Sequence, residues 1–301
     1  MNKIQNNQAG YRQGAVAALV SVIVNILLSA FKLTAGILGH SSAMVADAAH
    51  SLSDVAASAA VWVGMKIAVK PADAGHPWGH GKAEPIAAKI VAIILIIVGL
   101  DIGVNALINI SRADYSTVKP IALIAAIVSI VVKEWNFQYV WRLGKKYDST
   151  SLKADAWHHR SDAISSVAAF IGIAFTIWGG NKWHFMDHLA AAAVAGMIIA
   201  VGVKFFRKAA ADLMDENLPA ERINEIKQAL MITEGVKGVE ALYARKAGLE
   251  ILIDAHVEVN PEISVSAGHT IASKARDELK MRFPDIQNVL VHIEPYFPND
   301  H

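Results

Sequence analysis

A six-span α-helical membrane domain followed by a small cytoplasmic α+β domain is the fold this sequence predicts, and three observations predict it. First, 54% of the 301 residues are hydrophobic and only 18% are charged, against about 45–50% and about 25% in a typical soluble domain. Second, apolar runs long enough to cross a bilayer recur up to about residue 206, and the mean hydropathy of the chain is +0.36. Third, residues 210–301 change character, with short alternating stretches in place of long apolar ones.

The spans lie near residues 14–38, 42–65, 86–109, 119–141, 155–179 and 185–206. Each meets or approaches the roughly 20 residues that a membrane helix needs. The second is rich in Ala and Ser and carries Asp47, His50 and Asp54, so hydropathy marks it poorly. Lys133 and Glu134 are read as the inner boundary of the fourth. Lys3, Arg12, Lys66, Lys70, Lys82, Arg142, Lys145, Lys146, Lys153, Lys204, Arg207 and Lys208 fall in one group of connections. Only Arg112, Lys119 and Lys182 fall in the other. The basic group marks the inner side, so a multi-pass membrane protein with both termini in the cytoplasm is expected.

The tail predicts an αββαβ order. Pro219–Met231 has helical spacing, and Val236–Lys246 reads as a strand. In Glu250–Glu258, Ile251, Ile253, Ala255 and Val257 alternate with Leu252, Asp254, His256 and Glu258. Ser264–Phe283 is a helix stopped by Pro284, and Val289, Val291 and Ile293 define a last strand. Helices over one face of a sheet give a small ferredoxin- or metallochaperone-like layer. The expected division is a membrane domain over 1–209 and a cytoplasmic domain over 210–301.

Charge and Cys content exclude several function classes. The net charge of +1 hides nine Lys and Arg against sixteen Asp and Glu in residues 210–301, which leaves +8 on the apolar part. No strongly basic soluble domain remains for nucleic acid. With no Cys there is no disulfide framework, thiolate metal site or Cys nucleophile.

Ionisable groups inside a bilayer cost about 2.5–3.5 kcal/mol each and mark partners or function. His50 and Asp54 are four apart in the second span, and His158 and Asp162 are four apart in the fifth. Residues i and i+4 share one helix face. If the two helices touch, two imidazoles and two carboxylates converge, a set that suits tetrahedral Zn²⁺. Asp54 lies roughly 18 Å from the outer end of its span and Asp162 roughly 10 Å from the inner end of its own, so both fall in the inner half of the membrane. Lys32, in the first span, is expected to pair with Asp47 or Asp101. On the loop after the second span, Asp73, His76 and His80 form a candidate three-ligand site shaped by Gly and Pro. In the tail, His256, His269, His292 and Glu294 are candidates to converge, with His292 and Glu294 two apart on one strand face.

The stretches Ala46-Asp47-Ala48-Ala49-His50-Ser51-Leu52-Ser53-Asp54, Leu152-Lys153-Ala154-Asp155-Ala156-Trp157-His158-His159-Arg160-Ser161-Asp162 and Gly79-His80-Gly81-Lys82-Ala83-Glu84 resemble the cation diffusion facilitator family. The resemblance covers nearly the whole chain. It implies a homodimer that exports a divalent transition metal from the cytoplasm against inward proton movement. It also implies transport ligands at His50, Asp54, His158 and Asp162, and a loop site at Asp73, His76 and His80. The implied cytoplasmic-domain site is His256, His269, His292 and Glu294, with Glu240 where some members have His. Lys82 resembles the lysine of an interlocked salt bridge at the dimer interface, and Asp215 is its acidic counterpart here. In the family, His-x-x-x-Asp in both spans goes with zinc, so Zn²⁺ leads, with Fe²⁺, Mn²⁺, Co²⁺ and Cd²⁺ open. No enzyme is expected: there is no His-Glu-x-x-His helix, and four ligands would leave no open position for hydrolysis. A membrane metal sensor that does not transport is the alternative reading.

Overall fold

In a bilayer every backbone polar group must be satisfied within the protein, and the apolar part of this chain is helical accordingly. The computed structural model describes the backbone of residues 2–113, 115, 117–146, 150–247 and 250–298. Side chains are described within those ranges except at residues 2–19, 61, 150–152, 154–155, 158 and 181. The membrane helices are α1 (Asn2–Leu38), α2 (Ser42–Ala68), α3 (Ala83–Arg112), α4 (Pro120–Lys146), α5 (Thr150–Trp178) and α6 (Phe185–Leu213). Among the described residues, five of them contain stretches long and apolar enough to cross a membrane: residues 20–38, 83–112, 120–146, 159–178 and 185–213. The remaining one, α2, has 27 residues, ample length for a crossing. Its hydropathy is lowered by the polar side chains it carries, as the sequence predicts.

The helix starts are chemically marked. Pro120 opens α4, where its missing N–H costs nothing. Ser41 caps α2, its Oγ accepting from Met44 N at 3.1 Å. Asp187, in the first turn of α6, adds a carboxylate at the same helix end. It accepts from Ser41 Oγ (2.5 Å), Ser42 N (2.6 Å) and Ala43 N (3.3 Å), where the helix dipole favours negative charge.

Two compact units divide the chain. The first comprises residues 1–59 and 90–205. Its interior is built from small side chains, with Ala43, Ala46, Ala122, Ala125, Ala126, Ala169 and Ala191 fully buried. Association of helices in lipid relies on such close backbone approach. At Gly99 an added Cβ would lie 2.7 Å from Ile199, and at Gly202 it would lie 2.8 Å from Ile96, so α3 and α6 cross closely there. Ile93, Ile94, Ile97, Leu100 and Leu107 of α3 are exposed, a surface suited to lipid.

The second unit comprises residues 60–89 and 206–301. Its tail contains α7 (Ala220–Ile232), β1 (Val236–Ala247), β2 (Glu250–Val259), α8 (Val265–Arg282) and β3 (Ile286–Pro295). The order αββαβ is the expected one. The sheet runs β1-β2-β3, with β1 and β2 antiparallel and β2 and β3 parallel. A parallel pair needs a crossover, which α8 supplies. Ser264 caps α8 through Ala267 N at 3.2 Å. Ile226 and Leu230 of α7 and Ala275 and Leu279 of α8 are buried in one core with Ile251, Ile253, Ala255, Val257 and Val289. The apolar set of β2 is thus the covered face, which leaves Asp254 and His256 on the other. The Arg222 guanidinium bonds both carboxylate oxygens of Asp285 at 2.9 and 2.8 Å and ties α7 to the start of β3.

Candidate functional site

Among the described residues, three clusters gather side chains that could hold a metal ion, each with its ligand atoms within 4.8 Å of one another: His50, Asp54 and Asp162; Asp73, His76 and His80; and Glu240, His256 and Glu294.

The first is inside the membrane unit. His50 and Asp54 stand one turn apart on α2, and Asp162 comes from α5. His50 and Asp162 are buried and Asp54 is half-buried. The convergence expected of the two helices is therefore present for three of the four residues. The side chain of His158 lies outside the described residues. One imidazole and two carboxylates form a compact N/O donor set that suits a divalent cation.

The surroundings of this cluster correct one expectation and resolve another. Lys133 does not mark the end of a span. It is buried within α4, which continues to Lys146, and its Nζ donates to the backbone carbonyl of Asp162 at 2.7 Å. The carbonyl satisfies an ammonium that would otherwise be unpaired in the interior. Lys32 pairs with Asp47, not Asp101: Nζ and Oδ2 are 2.7 Å apart and both side chains have zero exposure. Lys32 also donates to Ser51 Oγ at 3.0 Å and Ser166 Oγ at 2.9 Å. Asp47 Oδ1 accepts from Ser165 at 2.7 Å and Ser166 at 3.2 Å. Sequence reasoning missed these serines, although a signal was present. Ser165 and Ser166 follow Asp162 by three and four residues and so share its helix face.

The loop cluster is solvent-facing. His76 Nδ1 is 3.2 Å and His80 Nε2 3.5 Å from the Asp73 carboxylate, and the two rings are 4.3 Å apart. The backbone N–H of His76 at 2.7 Å, then its ring and the N–H of Gly75, hold Asp73 below the usual carboxylate range. The turn needs glycine at Gly79, where φ is +79°. Lys82, at the end of this loop, pairs with Asp215 at 3.0 Å within the one chain, and Arg245 approaches the same carboxylate at 3.6 Å.

In the tail, parallel pairing sets His256 beside His292 and Glu258 beside Glu294. His256 Nδ1 lies 2.7 Å and His292 Nε2 3.5 Å from Glu294 Oε1, with the two imidazoles 5.2 Å apart. Glu240 of β1 completes the cluster. A hydrogen bond shared with Glu240, with help from the bond to His256 and the charge of both histidines, holds Glu294 below its ordinary range against partial burial. His269 is not in the cluster. It is exposed on α8 and borders, with Glu294, a cavity of about 410 Å³. Of the four tail residues expected to converge, His256, His292 and Glu294 do so and His269 does not, and Glu240, which the family resemblance added, joins them.

Comparison with known proteins agrees with this layout. Residues 18–214 match the cation efflux transmembrane domain, and residues 218–296 match the cytoplasmic domain of cation efflux proteins. The manganese efflux system protein MneP of Bacillus subtilis (strain 168) is 37% identical over 284 residues, 93% of this chain and 95% of that protein. Metal tolerance protein C1 of Arabidopsis thaliana is 35% identical over 97% of this chain and 65% of its own length. The magnetosome protein MamB of Magnetospira sp. (strain QH-2) is 30% identical over 90% of this chain and 92% of its own.

Proposed function

This chain belongs to the cation efflux family, the cation diffusion facilitators, and from that premise we propose that it exports a divalent transition-metal ion from the cytoplasm by proton-coupled antiport. The single observation that carries the reading is the buried cluster of His50, Asp54 and Asp162 between two membrane helices. Buried charges are retained where they pair or bind, and two carboxylates offset a divalent charge. His158, one turn before Asp162, is assigned as the fourth ligand. Protons and metal compete for the same donor atoms, so a cytoplasm-facing cluster loads metal and a cluster facing the more acidic side releases it.

The donor set, two His and two Asp, favours Zn²⁺ as cargo. A second reading, Mn²⁺, is favoured by the resemblance to MneP along almost its full length. We assign the membrane domain to residues 1–209 and the cytoplasmic domain to residues 210–301, with both termini inside and the protein in the inner membrane as a homodimer. The match to the efflux-protein cytoplasmic domain supports the dimer. The tail and loop clusters, with His269 adjoining, act as cytoplasmic metal sites that regulate transport. Lys82 and Asp215 brace the join at the dimer interface.

Purified protein in sealed vesicles with an imposed pH gradient tests this. Accumulation of Zn²⁺ or Mn²⁺ that needs the gradient supports antiport, and the ratio of the two initial rates assigns the cargo. Metal binding without flux of any ion would replace transport with the sensor reading.

A further inference from the structure

Lys133 places a cation beside the cluster that is read as binding one. On α4 the buried residues Ala126, Ser129, Lys133, Asn136, Phe137 and Val140 recur at helical spacing, so Lys133 lies on the packed face of its helix. Its Nζ reaches α5 and donates to the Asp162 carbonyl at 2.7 Å. The carboxylate of the same Asp162 belongs to the metal cluster. Standard bond lengths put that carboxylate within about 8 Å of Nζ. The donor atoms of His50 and Asp54 lie within 4.8 Å of it. The charge of Lys133 is felt at His50 more strongly than that of Asp162, and it reaches Lys32 and Asp47 as well.

A tie between two helices does not need that charge. Burying an ammonium costs more than one hydrogen bond to a neutral carbonyl returns, and a neutral amide can make the same kind of link. Asn136, three residues on, ties α4 to α1 in this way, its Oδ1 accepting from Ser21 Oγ at 3.1 Å. The charge of the buried Lys32 is met by Asp47 at 2.7 Å. Lys133 donates instead to a neutral acceptor, so its charge is left to act on the cluster beside it.

The consequence for a bound ion follows from Coulomb's law. Two carboxylates match a divalent charge, and a matched ion in a buried site is held tightly. A fixed positive charge nearby opposes it. At about 8 Å and an effective dielectric constant of about 20, repulsion of a divalent ion is worth roughly a thousandfold in affinity. An ion that is carried must bind well enough to enter and weakly enough to leave.

We propose that Lys133 sets the affinity of the membrane cluster, as a tethered cation that loosens the bound divalent ion so that it can be released. The proposal rests on the transport reading and deepens it. Lys133 is not a ligand, because an ammonium has donors only. It acts through its charge, held in place by the Asp162 carbonyl.

The test uses the full chain, with Mn²⁺ and Zn²⁺ as probes. Two neutral variants, Lys133→Met and Lys133→Gln, are compared with Lys133→Arg, which keeps the charge. Affinity is read by equilibrium dialysis, and the part of the binding that Asp162→Ala removes is the membrane cluster's. Maximal rates of uptake are read in sealed vesicles with a pH gradient. The neutral variants should bind both ions about tenfold or more tightly than the unaltered protein, while their maximal rates fall by about tenfold or more. Lys133→Arg should stay within about threefold of the unaltered affinity. A residue that only ties the helices would give the opposite split, with affinity unchanged or weakened in the neutral variants, and that result would overturn the proposal. Tighter binding with an undiminished maximal rate would overturn the release step. Failure of both neutral variants to fold, with Lys133→Arg folded, would assign the charge to folding and overturn it too. Absence of uptake by the unaltered protein would defeat the transport reading, and the dialysis comparison would still decide whether Lys133 weakens the site.

Discussion

Two clusters in this molecule use the same chemistry in opposite surroundings. His50, Asp54 and Asp162 in the membrane unit and His256, Glu240 and Glu294 in the tail are each one imidazole and two carboxylates within 4.8 Å. In the first, His50 and Asp162 are 6% and 9% exposed. In the second, the side chains of His256 and Glu294 are 38% and 20% exposed. The difference teaches that donor identity alone does not fix a role. In the membrane each ionisable group must be compensated, and the compensation is visible in Lys133 on the Asp162 carbonyl and in the Lys32–Asp47 pair one turn away. In the tail, solvent does most of that work. On the proposed transport reading, the buried cluster is the cargo site and the half-buried tail cluster the sensing one.

The comparison is sharpened most by removing a buried ligand. Asp162→Ala should abolish gradient-driven metal flux, by about 100-fold or more, since even outer partners of metal ligands are commonly worth about 10–100-fold. Vesicle uptake rates would show it. Lys133→Met should follow, with a loss of about tenfold or more by the same measure, because the Asp162 carbonyl loses its buried donor. In the tail, His256→Ala should leave the maximal rate within about threefold and shift the half-saturating metal concentration by about fivefold or more, the scale of a regulatory coupling. Equal losses of maximal rate in the buried and exposed clusters would break the comparison.

Smaller effects concern the scaffold. Ser41→Ala removes the cap of α2 and should lower stability by about 1 kcal/mol, measured as a lowered Tm in detergent, with Asp187 still holding the helix end. The Lys274–Glu234 pair, at 2.8 Å, links α8 to the α7–β1 turn. The hydrogen bond and then the charge of Lys274 hold Glu234 below its ordinary range, and the same two causes hold Lys274 above its own. The Glu234 contribution is present above the ordinary carboxylate range and is lost as pH falls through the lowered value. The Lys274 contribution is present below the ordinary lysine range and is lost as pH rises through the raised value. Across neutral pH both persist. Lys274→Ala should therefore shift Tm slightly and evenly in that range and flatten the acid limb of a pH series.

Much of this was legible in the sequence, for identifiable reasons. The i, i+4 spacing of His50 with Asp54 announces a shared helix face before any contact is known. The alternation in Glu250–Glu258 assigns the covered face of β2 correctly, because a strand has period two. Even the weak hydropathy of α2 is informative, since the residues that lower it are those of the cluster. What was not legible depends on packing between distant segments. Lys133 looks like a span boundary because local hydropathy cannot see the carbonyl that receives it. Lys32 has two acidic candidates at similar depth, and only the helix arrangement selects Asp47. His269 drops out of the tail cluster because it rides on α8, while the register of β2 with β3 brings His292 to His256.

The most direct test of the division of labour between the two clusters is the initial rate of pH-gradient-driven metal uptake into vesicles for Asp162→Ala beside His256→Ala, each over a range of metal concentration. No saturable uptake in the first, with a near-normal maximal rate and a shifted concentration dependence in the second, is the expected result. Sustained uptake by Asp162→Ala, or a lost maximal rate in His256→Ala alone, would contradict it.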